Sequence, residues 1–545
     1  MEIAVHRKNF SGGLNYKDGA EKIAPNEYPL LRNGRVRDGN IVPTRRPLLL
    51  TGINAERFQG SYGVENFLLV AADGFIYWKD FAVEDGAFNL FYSSSGEPLR
   101  MHPTAEIHFQ AVAASSMNRA RVLDGTYAND PINQGAIVNG SPACIVITDG
   151  LNQPTVVFPD GTWRRAATYE QWTPDNREYI PIGTFMYYDG VTLYMVSPNG
   201  DKLFRSVSGR PLDFVIVIDD TTGGNKAADA NDSAFKFTYG SLSCIGPLYS
   251  RGDFFGSTRT EGFRLKLDFE NLYFGEPSLK RIPLATGCIN NYAFTTVNGD
   301  NIFVDGGGIK SFNAVESEQT KASTSPFSRT IQKLFDGAMQ ETPVAITLND
   351  YSYFSVMTVF GHAIMVYDSH LNAFVSLDHD DDVVDIIRFS VVDTMTSQKL
   401  IVCTTTGVYC YDESEEVSEV GFYWGDILIG NLKQQGSTIR LKALFANVLT
   451  SGTVTVTDYV DGKAINTFAR SINSEVTELA EASFEMPLPV SDVRTTKQKE
   501  FIYEGTQVQG SRLAYWISWN FNGELSALEA DIYVSEDTIA PNQQQ

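Results

Sequence analysis

Apolar and polar positions alternate along most of this chain in short runs, and helical spacing is rare. Val297–Phe312 (VNGDNIFVDGGGIKSF) shows the unit: an alternating run, a tight turn at Asn298-Gly299, and a second run carrying an aromatic. Such runs suit a pleated, half-buried surface, and Asn-Gly supplies the positive φ that a two-residue hairpin needs. The unit recurs from about residue 55 to about residue 412. Phe67–Lys79 turns at Asp73-Gly74, Cys144–Trp163 at Asp149-Gly150 and Asp160-Gly161, and Phe185–Arg205 at Asp189-Gly190 and Asn199-Gly200. Cys244–Leu267, Tyr292–Phe312, Tyr353–Leu377 and Lys399–Tyr411 continue the series.

The centres lie roughly 40–60 residues apart, the length of a four-stranded propeller blade. One hairpin cannot bury its own face, whereas units stacked radially can. The expected fold is therefore all-β: a β-propeller of six to seven blades over residues 51–415, with a β-sandwich or a β-solenoid as the competing architectures. The triple glycine Gly306–Gly308 is expected to need positive φ, with Gly307 at its centre.

Three stretches break the pattern. Residues 1–50 carry Pro25, Pro29, Pro43 and Pro47, which interrupt helices and sheet ladders, so an extended arm is expected there. Deleting that arm is expected to leave the propeller folded. Pro326–Met339 places Phe327, Ile331, Leu334 and Phe335 on one stripe and predicts an inserted helix near 326–340. After the acidic link Asp412–Glu419, long alternating strands predict a separate β-sandwich-like module over 420–537, and residues 538–545 read as a disordered tail. Asp219–Asp232 reads as a polar loop without the spacing of a calcium site.

The 43 Lys/Arg against 66 Asp/Glu give a net charge of −23, which argues against a body that grips nucleic acid by its phosphates. The imbalance is uneven. Residues 1–50 hold nine Lys/Arg and five Asp/Glu, a net +4 against −27 for the rest. A basic arm on an acidic body can clasp a neighbouring copy, and Arg32, Arg35, Arg37, Arg45 and Arg46 are the candidate assembly residues.

Catalytic signatures are not found. The six His are scattered outside zinc-binding spacings, and the triple glycine lacks the Lys-Ser/Thr of a phosphate loop. His379 within Asp378–Asp382 is a conceivable cation site but reads more simply as a solvated loop. Asp160–Trp163 faintly resembles a sialidase Asp-box, and Arg251–Asp253 reads as a turn. The five cysteines sit singly in apolar runs and read as buried free thiols. No catalytic, cofactor or metal residues are assigned, no cofactor is expected, and no apolar run is long enough to span a membrane.

Phe10–Pro47 carries a Gly-Gly-Leu-Asn segment, a Leu-Arg-Asn step, an Arg-x-Arg-Asp-Gly turn and a Pro-x-Arg-Arg-Pro end, and it resembles the opening of many bacteriophage virion proteins. Ile182–Asp220, with its Met-Tyr-Tyr step and its Phe-Arg-Ser…Gly-x-Pro-Leu-Asp-Phe run, resembles the tail nozzle (tail tubular) proteins of short-tailed bacteriophages. The likeness covers about residues 8–50 and 180–340. It implies a non-enzymatic virion subunit, made in the host cytoplasm and built into the tail. It further implies a six-fold homo-oligomeric ring below the portal and adaptor, contacts with tail fibre or needle proteins, and passage of DNA without specific binding. The competing functions are a propeller hydrolase of host glycan, which needs two carboxylates about 5–10 Å apart, and a receptor-binding tail module.

Overall fold

The computed structural model describes residues 2–16, 22–83, 86–112, 144–158, 161–173, 178–190, 192–207, 210–217, 225–227, 234–236, 241–247, 253–258, 262–266, 279–284, 287–312, 327–335, 342–394, 396–428, 435–474, 498–505 and 508–535. The fold is nearly all β. Its first part is a succession of antiparallel meanders of a few short strands each, several of the hairpins closed by tight turns.

Meander one is Phe58–Val64, Phe67–Ala72, Phe75–Asp80 and Asn89–Leu90, and meander two is His108–Val112, Cys144–Thr148, Thr155–Val157 and Trp163–Arg165. Met186–Tyr188, Leu193–Val196, Lys202–Arg205 and Ala234–Lys236 form the third. The fourth runs Cys244–Pro247, Asp253–Ser257, Gly262–Lys266, Leu279–Leu284. The fifth has three described strands, Phe294–Val297, Asp300–Asp305 and Gly308–Ser311. Val344–Leu348, Tyr351–Thr358, Gly361–Asp368 and Ala373–Asp378 make the sixth. In the seventh, Ile386–Asp393, Gln398–Thr404 and Val408–Cys410 are joined by Leu48–Leu49 from the N-terminal segment.

The hairpin chemistry follows the turn residues. Asp73 and Gly74 have φ of 48° and 78°, and Asn298 and Gly299 have 44° and 82°, so both pairs occupy the left-handed region that a two-residue turn requires. Phe75 then pairs with Ala72, and Asp300 with Val297. The triple glycine behaves differently from expectation. Gly308 has φ +145°, and a Cβ there would lie 2.8 Å from both Ser328 Oγ and Gln332 Oε1, whereas Gly307 has no left-handed φ and nothing nearer than 3.6 Å.

Successive meanders touch through their first strands. The one beginning at Phe58 lies against that at His108, and His108 N-terminally leads a strand that in turn meets Met186–Tyr188, which contacts Cys244–Pro247. Asn301 Nδ2 of meander five donates to Pro247 O at 2.5 Å, and Thr295 and Thr347 share a hydroxyl hydrogen bond of 2.8 Å. Val344–Leu348 contacts Ile386–Asp393, which returns to the first meander through Ser390 and Ser61, 2.8 Å apart.

The rest of the chain is a two-layer unit knitted to the N-terminal segment. One sheet of nine strands runs from meander six through Leu30–Arg32, Val420–Leu428, Arg512–Trp519 and Gly452–Val460 to Lys463–Ile472. The other has six: Lys499–Glu504, Gln435–Ala446, Glu524–Ser535, Asn40–Pro43 and Gly34–Arg37, with Glu2–Arg7 also paired to Glu524–Ser535. Phe445 packs edge-on to Trp519 (5.4 Å), and Thr438 meets the Tyr515 hydroxyl at 2.8 Å between the layers.

Residues 1–50 are accordingly woven into their own chain. Phe10, Tyr28, Leu31 and Ile41 are fully buried in a core shared with meanders five and six and with the two-layer unit, and each such side chain contributes roughly 1.5–3 kcal/mol of burial. The acidic link is paired as well: Arg46 N–H donates to Glu416 O (2.8 Å) and Ser418 N–H to Thr44 O (2.8 Å).

The predicted helix at 326–340 is replaced in its described part by a 3₁₀ turn, Arg329–Leu334. Its apolar stripe does face inward, with Ile331, Leu334 and Phe335 buried. Ser328 Oγ accepts from Ile309 N–H at 3.1 Å, which ties the segment to the Gly308–Ser311 strand over a length too short to nucleate an α-helix. Pro326 and residues 336–340 lie outside the described residues, as do Arg251, Gly252, Asp160, the 538–545 tail and all of 219–232 except the strand Asn225–Ala227. The five cysteines are free and buried. No helix among the described residues is long and apolar enough to cross a membrane.

Candidate functional site

The five arginines of the N-terminal segment separate into two groups. Arg35, in the strand Gly34–Arg37, points into the core, where its guanidinium holds both oxygens of Asp378 (3.1 and 2.6 Å) and donates to the Tyr411 hydroxyl (2.9 Å). Burial opposes its charge, but Asp378 and Tyr411 more than offset that and keep it protonated well above its ordinary range. Arg32 is half-buried between the rings of Phe360 (5.6 Å) and Trp516 (5.7 Å), and burial lowers its pKa. Arg46 reaches Asp382 (3.3 Å), Asp380 (3.4 Å) and Glu416 (3.7 Å). Arg37 and Arg45 are exposed, and the Arg46 side chain, although ion-paired, is 43% exposed.

These contacts also occupy the Asp378–Asp382 segment. Asp378 belongs to Arg35, Asp380 and Asp382 to Arg46, and His379 Nε2 lies 3.1 Å from Asp381. Asp378, Asp380 and Asp382 are thus ion-paired within the chain. Among the described residues no group of three or more His, Cys, Asp or Glu is placed to hold a metal ion. Beside this segment, Arg32, Arg46, His379, Glu416, Trp516 and Asn520 line a polar cleft of about 840 Å³ between the meanders and the two-layer unit.

A second concavity lies where the first strands converge. It measures about 220 Å³ and is lined by Gln110, Tyr187, Ile245, Phe294, Val344 and Arg388, drawn from six different meanders. Arg388 is 6% exposed. Its Nη2 donates weakly to Glu106 Oε1 (3.3 Å) and Ile107 O (3.4 Å), its guanidinium carbon sits 3.0 Å from the Tyr292 ring centroid, and its Nε has no hydrogen-bond partner. Tyr292 stacks on buried His108 (5.9 Å, 15°). Burial pushes the His108 imidazole down to about 4. Sequence reading passed over Arg388. The available signal was a single cation in the run IIRFSVV, at a position whose alternation points inward.

No protein-family model matches the chain, and no curated protein matches it. Several solved structures are similar to it at low identity and low TM-score. The extracellular domain of a putative hybrid two-component system from B. thetaiotaomicron is 10% identical with a TM-score of 0.38, covering 78% of this chain and 47% of that one. PorZ, a bacterial surface component of the type-IX secretion system of Porphyromonas gingivalis, is 12% identical (TM-score 0.33), covering 89% of this chain and 76% of that one. A chain of a nidogen/laminin complex is 10% identical (TM-score 0.29) over 58% of this chain and 94% of that one. The chain thus spans about half the length of the first of these, and at such scores the likenesses carry no functional information.

Proposed function

We propose that the protein is a structural subunit of a bacteriophage tail: a tail nozzle protein of a short-tailed phage, without enzymatic activity. Its meanders are read as the blades of a seven-bladed β-propeller, last blade completed by Leu48–Leu49. Copies assemble into a six-fold ring below the portal and adaptor, carry the fibre or needle proteins, and pass DNA outward without gripping it.

The observation that carries this reading is the stretch Ile182–Asp220. The residues that resemble the nozzle family are the frame of meander three. Phe204, Leu212 and Phe214 are buried, Asp213 accepts from Trp172 Nε1 at 3.0 Å, and Tyr179 and Phe214 pair through the backbone at 3.0 Å. The net charge of −23 is of the sign that lets a phosphate backbone slide. The succession of contacts from the first meander to the seventh and back supports the propeller.

Electron microscopy of the purified protein, alone and mixed with the adaptor of its own phage, tests the proposal. A ring with an open centre is expected. A persistent monomer under both conditions, or release of reducing ends from host polysaccharide, overturns it.

A further inference from the structure

The cavity at the convergence of the first strands contains a charge that its own chain satisfies only in part. A guanidinium has five N–H donors and no way to lose its proton. Arg388 is more than nine-tenths buried; it lies against the Tyr292 ring, Nη2 makes two long hydrogen bonds, and Nε has no hydrogen-bond partner among the described residues. The carboxylate at 3.3 Å, Glu106, has a side chain 57% exposed, so solvent competes for it. A buried cation so poorly partnered costs folding free energy unless something else pairs with it. The same residue lines a cavity of about 220 Å³.

We propose that this cavity binds a small planar carboxylate, held by Arg388. Three features select that chemistry. The guanidinium matches a carboxylate through parallel N–H···O bonds. One cation neutralises a monoanion once Glu106, whose side chain is 57% exposed, turns to solvent, whereas a dianion such as phosphate leaves an uncompensated charge inside. The walls at Phe294, Phe389, Ile245 and Met186 are apolar, so the body behind the carboxylate is apolar and flat. The volume equals the liquid share of roughly seven waters, which admits a single ring and little more. The assignment does not depend on the nozzle reading.

Benzoate is the probe. Ligand-observed NMR on the full chain at neutral pH is expected to show saturable millimolar binding, with inorganic phosphate at equal ionic strength failing to displace it. Arg388→Met is expected to abolish the signal. Because that variant removes a buried residue and can fail to fold, Glu106→Gln provides the independent reading. It frees the guanidinium from its internal competitor at an exposed position, so benzoate is expected to bind several-fold more tightly. Absence of saturable benzoate binding to the wild type, equal affinity in wild type and Glu106→Gln, or phosphate binding as tight as benzoate overturns the proposal.

Discussion

At the residue scale, backbone conformation and burial decide what each position tolerates. Gly308 stands at φ +145° with two side-chain atoms 2.8 Å from where a Cβ would sit, while Gly307 faces nothing nearer than 3.6 Å. Gly308→Val is therefore expected to cost about 2–4 kcal/mol, strain and steric displacement together. Gly307→Val is expected to leave the thermal midpoint nearly unchanged. Equal midpoints for the two variants would remove the distinction. His108 gives a pH dependence. It stays neutral in the fold down to about 4, because burial outweighs the attraction of Glu106, and Arg388 adds to the depression. In the unfolded chain it takes up a proton near 6.5, so the unfolded state binds more protons between those values and stability falls as the pH drops through that window. At pH 5 the loss from His108 is about 2 kcal/mol, and His362, also lowered by burial, acts in the same direction. Urea midpoints measured at pH 7 and pH 5 should converge in His108→Asn by that amount; an undiminished gap would mean that other groups govern the acid limb.

At the scale of elements, what was legible in the sequence was local. Asp73-Gly74 and Asn298-Gly299 announce their hairpins because the turn and both flanking runs lie within a dozen residues, and the alternating strands after residue 420 were visible for the same reason. The N-terminal segment was misjudged because its partners are remote. Arg35 finds Asp378 343 positions away, and Asn33 donates to Glu419 O across 386. Four prolines marked the segment as extended, but no local signal said that Leu30–Arg32 would be inserted between Ala373–Asp378 and Val420–Leu428. Arg388 was missed for a related reason, since one cation in an apolar run reveals its burial only when six strands converge on it. The expectation that the remainder folds without residues 1–50 consequently reverses. Deletion removes Leu30–Arg32 from the middle of the nine-stranded sheet, Leu48–Leu49 from meander seven, and the guanidinium that pairs with buried Asp378. The truncated chain is expected to lose its cooperative melt and most of its soluble yield, checked by circular dichroism and limited proteolysis. A melt within a few degrees of the full chain would show that the segment is dispensable.

At the scale of the whole molecule, the intrachain use of those arginines changes what should drive assembly. A basic arm clasping an acidic neighbour would make a ring that salt dissolves. With Arg35 sealed against Asp378 and Arg46 spread over Asp380, Asp382 and Glu416, that attraction is spent within the chain, and Arg37 and Arg45 are the exposed ones of the five without such an acidic side-chain partner among the described residues. Under the proposed assembly, copies of net charge −23 would meet chiefly as like charges, and their contact would have to come from apolar burial and backbone pairing at exposed strand edges. Screening shortens the reach of such repulsion from roughly 10 Å at 0.1 M salt to about 3 Å at 1 M. Raising sodium chloride through that range is therefore expected to shift the mass distribution of the purified protein from single chains toward the ring, read by mass photometry. A ring that dissociates as salt rises would restore the clasp, and Arg37 and Arg45 would be the residues to replace first.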